Sequence, residues 1–319
     1  KNWLSNINIS FLIKRRVSYF VSGTFIVIGL SSLFLNGLNQ GVDFVGGRSY
    51  IVRFEQPVSQ EKIQSNLIQV LGNAEVKTFG SDNQLKITTN YKVDTDSSDV
   101  DDEINNILFT DLNEFMPENI AYEDFVVNGD ENKQAGVMSS IKVGPTIADD
   151  IKKNSFYAVF GSLIIVFLYI LLRFKDWQFS LGAVSAVFHD VLVVLGIFSL
   201  TYSFMPFNME INQAFIAAVL TVIGYSLNDT VVVFDRIREY RNINTSWELP
   251  RVVDSALNST LSRTLNTSFT TLVVLISIFV FGGESIRGFM FALIVGVLIG
   301  TYSSVFVATP VMYDTLKKK

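Results

Sequence analysis

The stretch "GYSLNDTVVVFDRIREYR", Gly224–Arg241, decides the fold class. Its first part continues an apolar run long enough to cross a membrane, and its second part is basic. Asn228 and Asp229 nevertheless interrupt the apolar run before any loop signal. An ionisable side chain at membrane depth costs roughly 2.5–3.5 kcal/mol on insertion scales, so its presence there indicates a function.

The composition of the whole chain is that of an α-helical polytopic membrane protein. Of its 319 residues, 49% are hydrophobic and 17% are charged, and the mean hydropathy is +0.36. An ordinary soluble protein of this size is less apolar. A window of about 19 residues, the length that crosses about 30 Å of hydrocarbon, finds six candidate transmembrane helices. They are Val17–Leu35, Asn154–Leu172, Phe179–Phe204, Asn212–Phe234, Thr264–Gly283 and Gly288–Tyr313.

Lysine and arginine residues set the predicted orientation. They cluster before span one, between spans two and three, between spans four and five, and at the C-terminus. If the six spans alternate, these segments share one side, which the positive-inside rule makes cytoplasmic. We therefore predict a cytoplasmic segment at 1–16, a span at 17–35 and an external domain at 36–150. Spans two to six follow at 151–313, with a basic cytoplasmic loop at 235–262 and a cytoplasmic tail at 314–319. Short external turns are expected at Met205–Ile211 and Gly283–Arg287.

The external insert is predicted to be an acidic α+β domain. It holds 20 acidic and 8 basic residues, a net charge of −12. Hydrophobic periodicity gives the order β-α-β-β-α-β of a ferredoxin-like domain. The predicted strands are Ser49–Glu55, Ala74–Gly80 and Gln84–Tyr91, with closing strands at Tyr122–Val127 and Val137–Val143; the predicted helices are Ser59–Leu71 and Val100–Phe115.

The run "DTDSSDVDDE", Asp94–Glu103, concentrates acidic side chains. A calcium site is one interpretation and a solvated acidic loop is the other. The spacing lacks the glycine and the terminal glutamate of a calcium loop, so it favours the solvated loop.

Asp229 and Arg263 are predicted to lie at comparable depth on consecutive spans. Asp229 is roughly 9 Å inside the basic end of span four, at about 1.5 Å per residue. Arg263 opens span five from the same side, so its guanidinium could reach the carboxylate. One interpretation is a static pair, or two side chains that snorkel to the interface. The other is that movement of Arg263 switches Asp229 between proton binding and release, the elementary step of a proton-coupled transporter.

Other polar residues accompany this pair. His189 and Asp190 lie near the middle of span three, either as a hydrogen-bonded packing pair or as a proton relay. Gly296 and Gly300 match the small-xxx-small pattern of close helix packing. The side chains that could link the charged pair through water are Asn228 on span four and Asn266, Thr267 and Thr270 on span five.

Several reaction classes are excluded by residue content. The chain has no cysteine, so disulfides, thiolate chemistry and cysteine-based metal sites are excluded. Its one histidine does not suffice for a typical zinc site, and no serine near it has a nucleophile-elbow setting. We expect no enzymatic activity, no metal and no cofactor, with protons as the coupling ion.

Several stretches together resemble the SecF members of the SecD/SecF family of protein-export membrane proteins. "GYSLNDTVVVFDRIRE" (Gly224–Glu239) and "RTLNTSFTTL" (Arg263–Leu272) are similar to the family's signature region. "GVDFVGG" (Gly41–Gly47) is similar to its glycine-rich motif, and "HDV" (His189–Val191) has a counterpart in its third span. The likeness covers essentially the whole chain in order.

The resemblance implies one half of a SecDF machine of the resistance-nodulation-division superfamily, in the bacterial inner membrane. It implies SecD, the SecYEG channel, YajC and YidC as partners, with unfolded preproteins as substrates, membrane lipids around it and no nucleic acid. It also implies use of the proton motive force, with Asp229 and Arg263 at the family's proton-conducting positions. The start at Lys1 and the segment Asn2–Ile13 lead us to expect the SecF half of a SecDF fusion.

The glycine-rich motif has two compatible interpretations. Glycines permit positive φ and close backbone approach, so the stretch could be a turn between span one and the first strand. The resemblance makes Gly41, Asp43, Gly46 and Gly47 a junction that couples the membrane helices to the external domain.

Two other functions are consistent with the residues. A small-molecule efflux transporter of the same superfamily would carry two much larger external domains, and drug accumulation in a deletion strain would reveal it. A non-transporting translocon assembly factor would contribute equally to export after the proton gradient is dissipated.

Overall fold

A computed structural model describes residues 9–95, 97–118, 120–127 and 133–316. The predicted segments 1–16 and 314–319 therefore lie partly outside the described residues, as does Asp96 of the acidic run. The first long helix, α1 (Arg15–Leu35), leads into an α+β domain, and the remaining long helices follow it.

The α+β domain is built on a four-stranded antiparallel sheet. Its strand order, β2-β3-β1-β4, is that of a ferredoxin-like domain. In chain order its elements are α2 (Val42–Val45), β1 (Gly47–Arg53), α3 (Gln60–Leu71), β2 (Glu75–Phe79), β3 (Ser81–Thr89), α4 (Ser98–Leu112), a 3-10 turn (Asn113–Phe115), α5 (Tyr122–Val126) and β4 (Gly136–Val143).

One face of the sheet carries the domain core. The Ser59 side chain caps α3 by accepting a hydrogen bond from Lys62 N at 3.4 Å. Ile63, Leu67 and Leu71 then recur on one face of α3 and are buried against the sheet. The opposite face of the sheet is left to polar side chains such as Lys86, and it is turned toward the membrane helices.

The closing strand predicted at Tyr122–Val127 is wrong, because Tyr122–Val126 forms the helix α5. Tyr122 and Phe125 are three residues apart and both pack edge-on against Phe109 of α4, at centroid distances of 5.5 and 5.4 Å. That spacing places them on one helical face, whereas a strand would point them to opposite sides. The sheet edge is instead closed by β4, which pairs with β1.

The acidic run is not wholly a loop. Its second half forms the first turns of α4, where the Ser97 side chain accepts a hydrogen bond from Asp99 N at 3.1 Å. Acidic side chains at a helix N-terminus interact favourably with the helix dipole, which explains why this charged stretch is helical.

Five further helical runs follow the domain. They are α6 (Pro145–Phe174), α7 (Trp177–Thr201), α8 (Gln213–Ile243), α9 (Leu249–Phe281) and the continuous run Glu284–Leu316, which consists of α10 (Glu284–Ser303), a π-helical segment (Ser304–Ala308) and α11 (Thr309–Leu316). With α1, six described helical runs are long and apolar enough to cross a membrane, the predicted number.

The helices extend beyond the apolar spans that were predicted from the sequence. α6 starts at Pro145, inside the stretch assigned to the external domain, and α10 begins within the turn predicted at Gly283–Arg287. α8 and α9 leave only residues 244–248 of the predicted basic loop outside helices. Pairs on one helical face, such as Arg238 Nη2 with Asp235 Oδ1 at 2.8 Å, support α8 beyond its apolar part.

The helix α7 lies at the centre of the helical bundle, where it contacts α1, α6, α8, α10 and α11. α8 crosses α10 where a Cβ on Gly300 would lie 3.0 Å from the Ser226 Cβ and one on Gly296 would overlap Val222. The predicted packing role of these two glycines is confirmed. By contrast, α6 and α9 leave most of their apolar side chains exposed.

Candidate functional site

The candidate site is centred on Asp229 in the middle of α8. Asp229 is 4% exposed, and its Oδ2 atom has no hydrogen-bond partner among the described residues. The polar groups of α9 that act on this carboxyl are the charge of Arg263 and the hydroxyl of Ser268. Ser268 in turn shares a hydrogen bond with Thr301 of α10, with 2.6 Å between the two oxygens. The carboxyl therefore lies near the polar contact between Ser268 of α9 and Thr301 of α10.

Arg263 is an exposed side chain of α9, and in the described part of the chain it forms no ion pair with Asp229. The two groups interact across a gap and are not joined by a direct contact. An arginine that acts on a buried carboxylate without a direct ion pair is the arrangement that the switching interpretation requires.

The supporting polar residues predicted on α8 and α9 lie mostly on the outer surface of the bundle. Asn228, Asn266 and Thr270 are exposed, and Thr267 is half-buried. The Thr267 and Thr270 hydroxyls donate to carbonyls of their own helix, at 3.0 Å from Arg263 O and Asn266 O respectively. They do not bridge Arg263 to Asp229 directly.

A second buried carboxyl, Asp190 of α7, is fully hydrogen-bonded. Its Oδ2 atom accepts hydrogen bonds from Ser226 Oγ at 2.6 Å and from Ser303 Oγ at 2.8 Å. Its Oδ1 atom lies 3.0 Å from His189 Nδ1. His189 Nε2 is buried without a hydrogen-bond partner among the described residues. The hydrogen bonds of Asp190 thus join α7 to α8 and to the C-terminal end of α10.

Polar contacts connect this cluster to the neighbourhood of Asp229. Thr230, the residue after Asp229, shares a hydrogen bond with Ser304, with 2.9 Å between the oxygens. Ser304 also donates to Ser226 O at 3.3 Å, and it opens the π-helical segment. Such segments are frequent at functional sites because the local widening frees backbone groups of the helix.

Sequence reasoning missed the four hydroxyl residues of this network, Ser226, Thr230, Ser303 and Ser304. Their signal was present in the chain, since "YSLNDT" places Ser226 and Thr230 on the inner face of α8 around Asp229, and "TYSS" places two serines in an apolar helix. Their partners could not be deduced, because Ser226 and Ser303 are 36 and 113 positions from Asp190.

The glycine-rich motif makes a tight turn between α1 and the sheet. Gly46 and Gly47 have φ of 74° and 124°, a region that favours glycine. A Cβ on Gly47 would lie 2.5 Å from Thr89 O of the neighbouring strand. Asp43 Oδ2 accepts a hydrogen bond from Gln213 N at 3.0 Å, at the start of α8. The motif is therefore both a turn and a contact with the helix that carries Asp229.

Comparison with known proteins places this architecture in a family. The family model "Protein export membrane protein SecD/SecF, C-terminal" matches residues 125–318, and the "SecD/SecF GG Motif" matches residues 31–58. The chain belongs to the SecD/SecF family. Its glycine-rich turn and the helices that carry Asp190, Asp229 and Arg263 all fall within the matched residues.

Relatives in the SecD/SecF family match almost the whole chain. The protein translocase subunit SecF of Rhodothermus marinus is 44% identical over 97% of this chain and 94% of its own length. The SecF subunit of Thermodesulfovibrio yellowstonii is 35% identical over 97% of this chain and 95% of its own. These matches confirm the resemblance drawn from the signature stretches.

A solved structure of the family has the same fold. The crystal structure of SecDF, a translocon-associated membrane protein from Thermus thermophilus, superimposes with a TM-score of 0.81 at 29% identity. The match covers 99% of this chain and 40% of the SecDF chain. The predicted architecture, six membrane helices with one ferredoxin-like domain after the first, is confirmed.

Proposed function

We propose that this chain is the SecF-type subunit, or half, of a SecDF assembly that uses the proton motive force to promote preprotein translocation through SecYEG. The observation that carries the proposal is Asp229, a buried carboxyl with an unpartnered oxygen and an arginine within electrostatic reach, in a chain that matches SecF subunits over nearly its full length.

Proton binding at Asp229 would supply the driving step. A proton on the carboxyl removes its negative charge and with it the attraction to Arg263. Because α8 and α9 carry the two groups, their preferred packing would then differ between the protonated and ionised states. Each proton that crosses the membrane releases about 2.3 kcal/mol per 100 mV, enough to bias a two-state equilibrium by more than about tenfold.

The exposed polar face of α8 and α9 is where we place the SecD partner. Asn228, Arg263 and Asn266 are exposed on this chain, on helices long and apolar enough to cross a membrane. Polar and charged side chains in lipid are costly, so a second protein surface that hydrogen-bonds them is favoured. The SecDF relative supports the presence of a SecD partner, because this chain matches only 40% of that longer chain.

The proposed setting is the bacterial inner membrane, with both termini cytoplasmic and residues 36–150 periplasmic. The basic ends of α6 and α8 lie on the same side of the bundle, where Arg173 Nη2 is 3.0 Å from Asp235 Oδ2. The positive-inside rule makes the basic side cytoplasmic, which supports this orientation. YajC and YidC remain proposed partners on the family resemblance alone.

An Asp229→Asn substitution in the complete SecDF assembly tests the proposal. The amide keeps the size of the side chain but cannot exchange a proton, so we expect loss of the proton-gradient-dependent fraction of preprotein export, measured in membrane vesicles with and without an uncoupler. Asp235→Asn is the matched control, because Asp235 lies on the same helix in exposed surface ion pairs. Gradient-dependent export that persists in Asp229→Asn would overturn the proposal.

A further inference from the structure

The second part of the loop between α7 and α8, residues 205–212, lies against the α+β domain. Its backbone pairs with the segment after α1, where Ile211 N donates to Asn39 O at 2.7 Å and Gly41 N donates to Ile211 O at 3.0 Å. The loop continues directly into α8, whose first turn is capped by Asn212 Oδ1, which accepts from Phe215 N at 3.0 Å. A displacement of α8 along its axis is therefore transmitted to this loop.

An ion pair joins the same loop to the sheet. Lys86 of β3 donates from Nζ to Glu210 Oε2, and the two side chains are only 15% and 5% exposed. Lys86 lies on the sheet face opposite the domain core. Loss of one partner from such a pair leaves a buried uncompensated charge, so the closed pair holds the sheet against the loop.

The loop also holds the start of α10. Asn208 N donates to Glu284 Oε1 at 2.9 Å, and Arg287 Nη1 donates to Glu284 Oε2 at 2.7 Å. The loop thus connects both α8, which carries Asp229, and α10 to the α+β domain.

A cavity of about 290 Å³, lined by both polar and apolar side chains, adjoins the ion pair. Lys86, Glu210, Asn208 and Glu284 form its polar part, together with residues of β1 and β4. Water held by these polar groups can solvate separated charges. Opening of the ion pair into the cavity would therefore cost less than its burial alone indicates.

We propose that the Lys86–Glu210 ion pair is a releasable latch between α8 and the α+β domain, and that it opens in each transport cycle. Glu210 and Lys86 act as positioning residues: closed, they fix the sheet to the loop that precedes α8; open, they let the domain re-orient when α8 shifts. The inference rests on the proposed function, because it assumes that α8 moves with the proton state of Asp229.

Reversible cross-linking tests the latch. The chain has no native cysteine, so a Lys86→Cys/Glu210→Cys variant in a cysteine-free SecDF assembly can be joined by a reducible bifunctional thiol reagent. We expect the cross-linked assembly to lose gradient-dependent export and to regain it after reduction. Recovery in the same sample shows that the loss is not misfolding.

The matched control joins two elements within the domain. Lys62 and Glu114 form an exposed ion pair at 2.9 Å between α3 and the 3-10 turn. A Lys62→Cys/Glu114→Cys variant, cross-linked in the same way, is expected to export at its uncross-linked rate. If the cross-linked Lys86→Cys/Glu210→Cys assembly also keeps that rate, the latch does not open and the proposal is overturned.

A charge exchange tests the same pair without any reagent. Lys86→Glu and Glu210→Lys alone are each expected to reduce gradient-dependent export, and the double exchange to restore part of it. A double exchange no better than the single variants would contradict the latch. If wild-type assemblies showed no gradient-dependent export at all, the proposed function would fail instead, which keeps the two failures distinguishable.

Discussion

At the scale of single residues, two buried aspartates in adjacent helices have opposite surroundings. Asp190 has hydrogen-bonding groups from Ser226, Ser303 and His189 around both carboxyl oxygens. Asp229 has an oxygen with no partner among the residues described. A fully partnered carboxyl is held in place, whereas one with an open oxygen can change its protonation and its contacts at lower cost. The contacts therefore favour a packing role for Asp190 and a proton-binding role for Asp229.

Removal of one donor to Asp190 is expected to destabilise the bundle. Ser303→Ala deletes a hydrogen bond to a buried carboxyl, and we expect a loss of about 1–3 kcal/mol in the free energy of unfolding. Unfolding in detergent, followed by denaturant titration, measures it. Ser180→Ala is the control, because Ser180 is equally buried and its hydroxyl has no described hydrogen-bond partner. Equal losses in both variants would contradict a structural role for the Asp190 cluster.

At the scale of elements, close helix crossings fix how Asp229 is presented. α8 meets α10 at Gly296 and Gly300, and the π-helical segment begins four residues later, where Ser304 contacts α8. The apolar windows predicted the helices and the spacing of Gly296 and Gly300 predicted close packing, because both are local features of the sequence; the partner helix α8 was not predicted. The hydrogen bonds that join α7, α8 and α10 connect distant parts of the chain, so the sequence alone did not predict them.

The assignment of Tyr122–Val127 to a strand failed for a related reason. Short apolar segments fit both the helical and the strand periodicity. The helix is favoured here because it lets Tyr122 and Phe125 both contact Phe109. The glycine-rich stretch was easier to interpret, because the positive φ at Gly46 and Gly47 is a local property of the backbone.

A side chain at the α8–α10 crossing is expected to force the helices apart. A Cβ at Gly296 would overlap Val222, so Gly296→Ala should destabilise the bundle by about 1–3 kcal/mol, as overpacking does. Gly161→Ala on α6 is the control, since nothing lies within 4 Å of its added Cβ. Denaturant unfolding of both variants measures the difference, and an unchanged stability for Gly296→Ala would contradict the close crossing.

The packing of α4 on the sheet is expected to depend on pH. Partial burial of Asp101 disfavours its charge, but hydrogen bonds from Arg48 and Lys142 outweigh this effect and hold the pKa of the carboxyl below its usual value. A lowered folded-state pKa stabilises the domain above the unfolded value of about 4, and this stability is lost as the pH falls further.

Hydrogen exchange of α4 and β1 amides in the full chain measures this dependence, after correction for the intrinsic exchange rate at each pH. We expect protection to fall on acidification in the wild type and to change less in Asp101→Asn. Asp99→Asn, on the same helix, is the comparison, because Asp99 forms no ion pair with any residue that the structure describes. An identical acid response in wild type and Asp101→Asn would contradict the role of this ion pair.

At the scale of the whole molecule, the chain has the surface of one part of a larger assembly. The central helix α7 is mostly buried, whereas α9, which is long and apolar enough to cross a membrane, presents both apolar and polar side chains outward. The α+β domain contacts the bundle through the glycine-rich motif and the loop before α8. These contacts connect the helix that carries Asp229 directly to the α+β domain.

Infrared difference spectroscopy of the reconstituted SecDF assembly, recorded while a proton gradient is imposed and removed, observes the Asp229 carboxyl itself. We expect a protonated-carboxyl band that appears and disappears with the gradient, is absent in Asp229→Asn and is retained in Asp235→Asn. If Asp229 gave no such band under any condition in which the assembly exports protein, the protonation of the carboxyl would not change with the gradient and it could not couple protons to translocation.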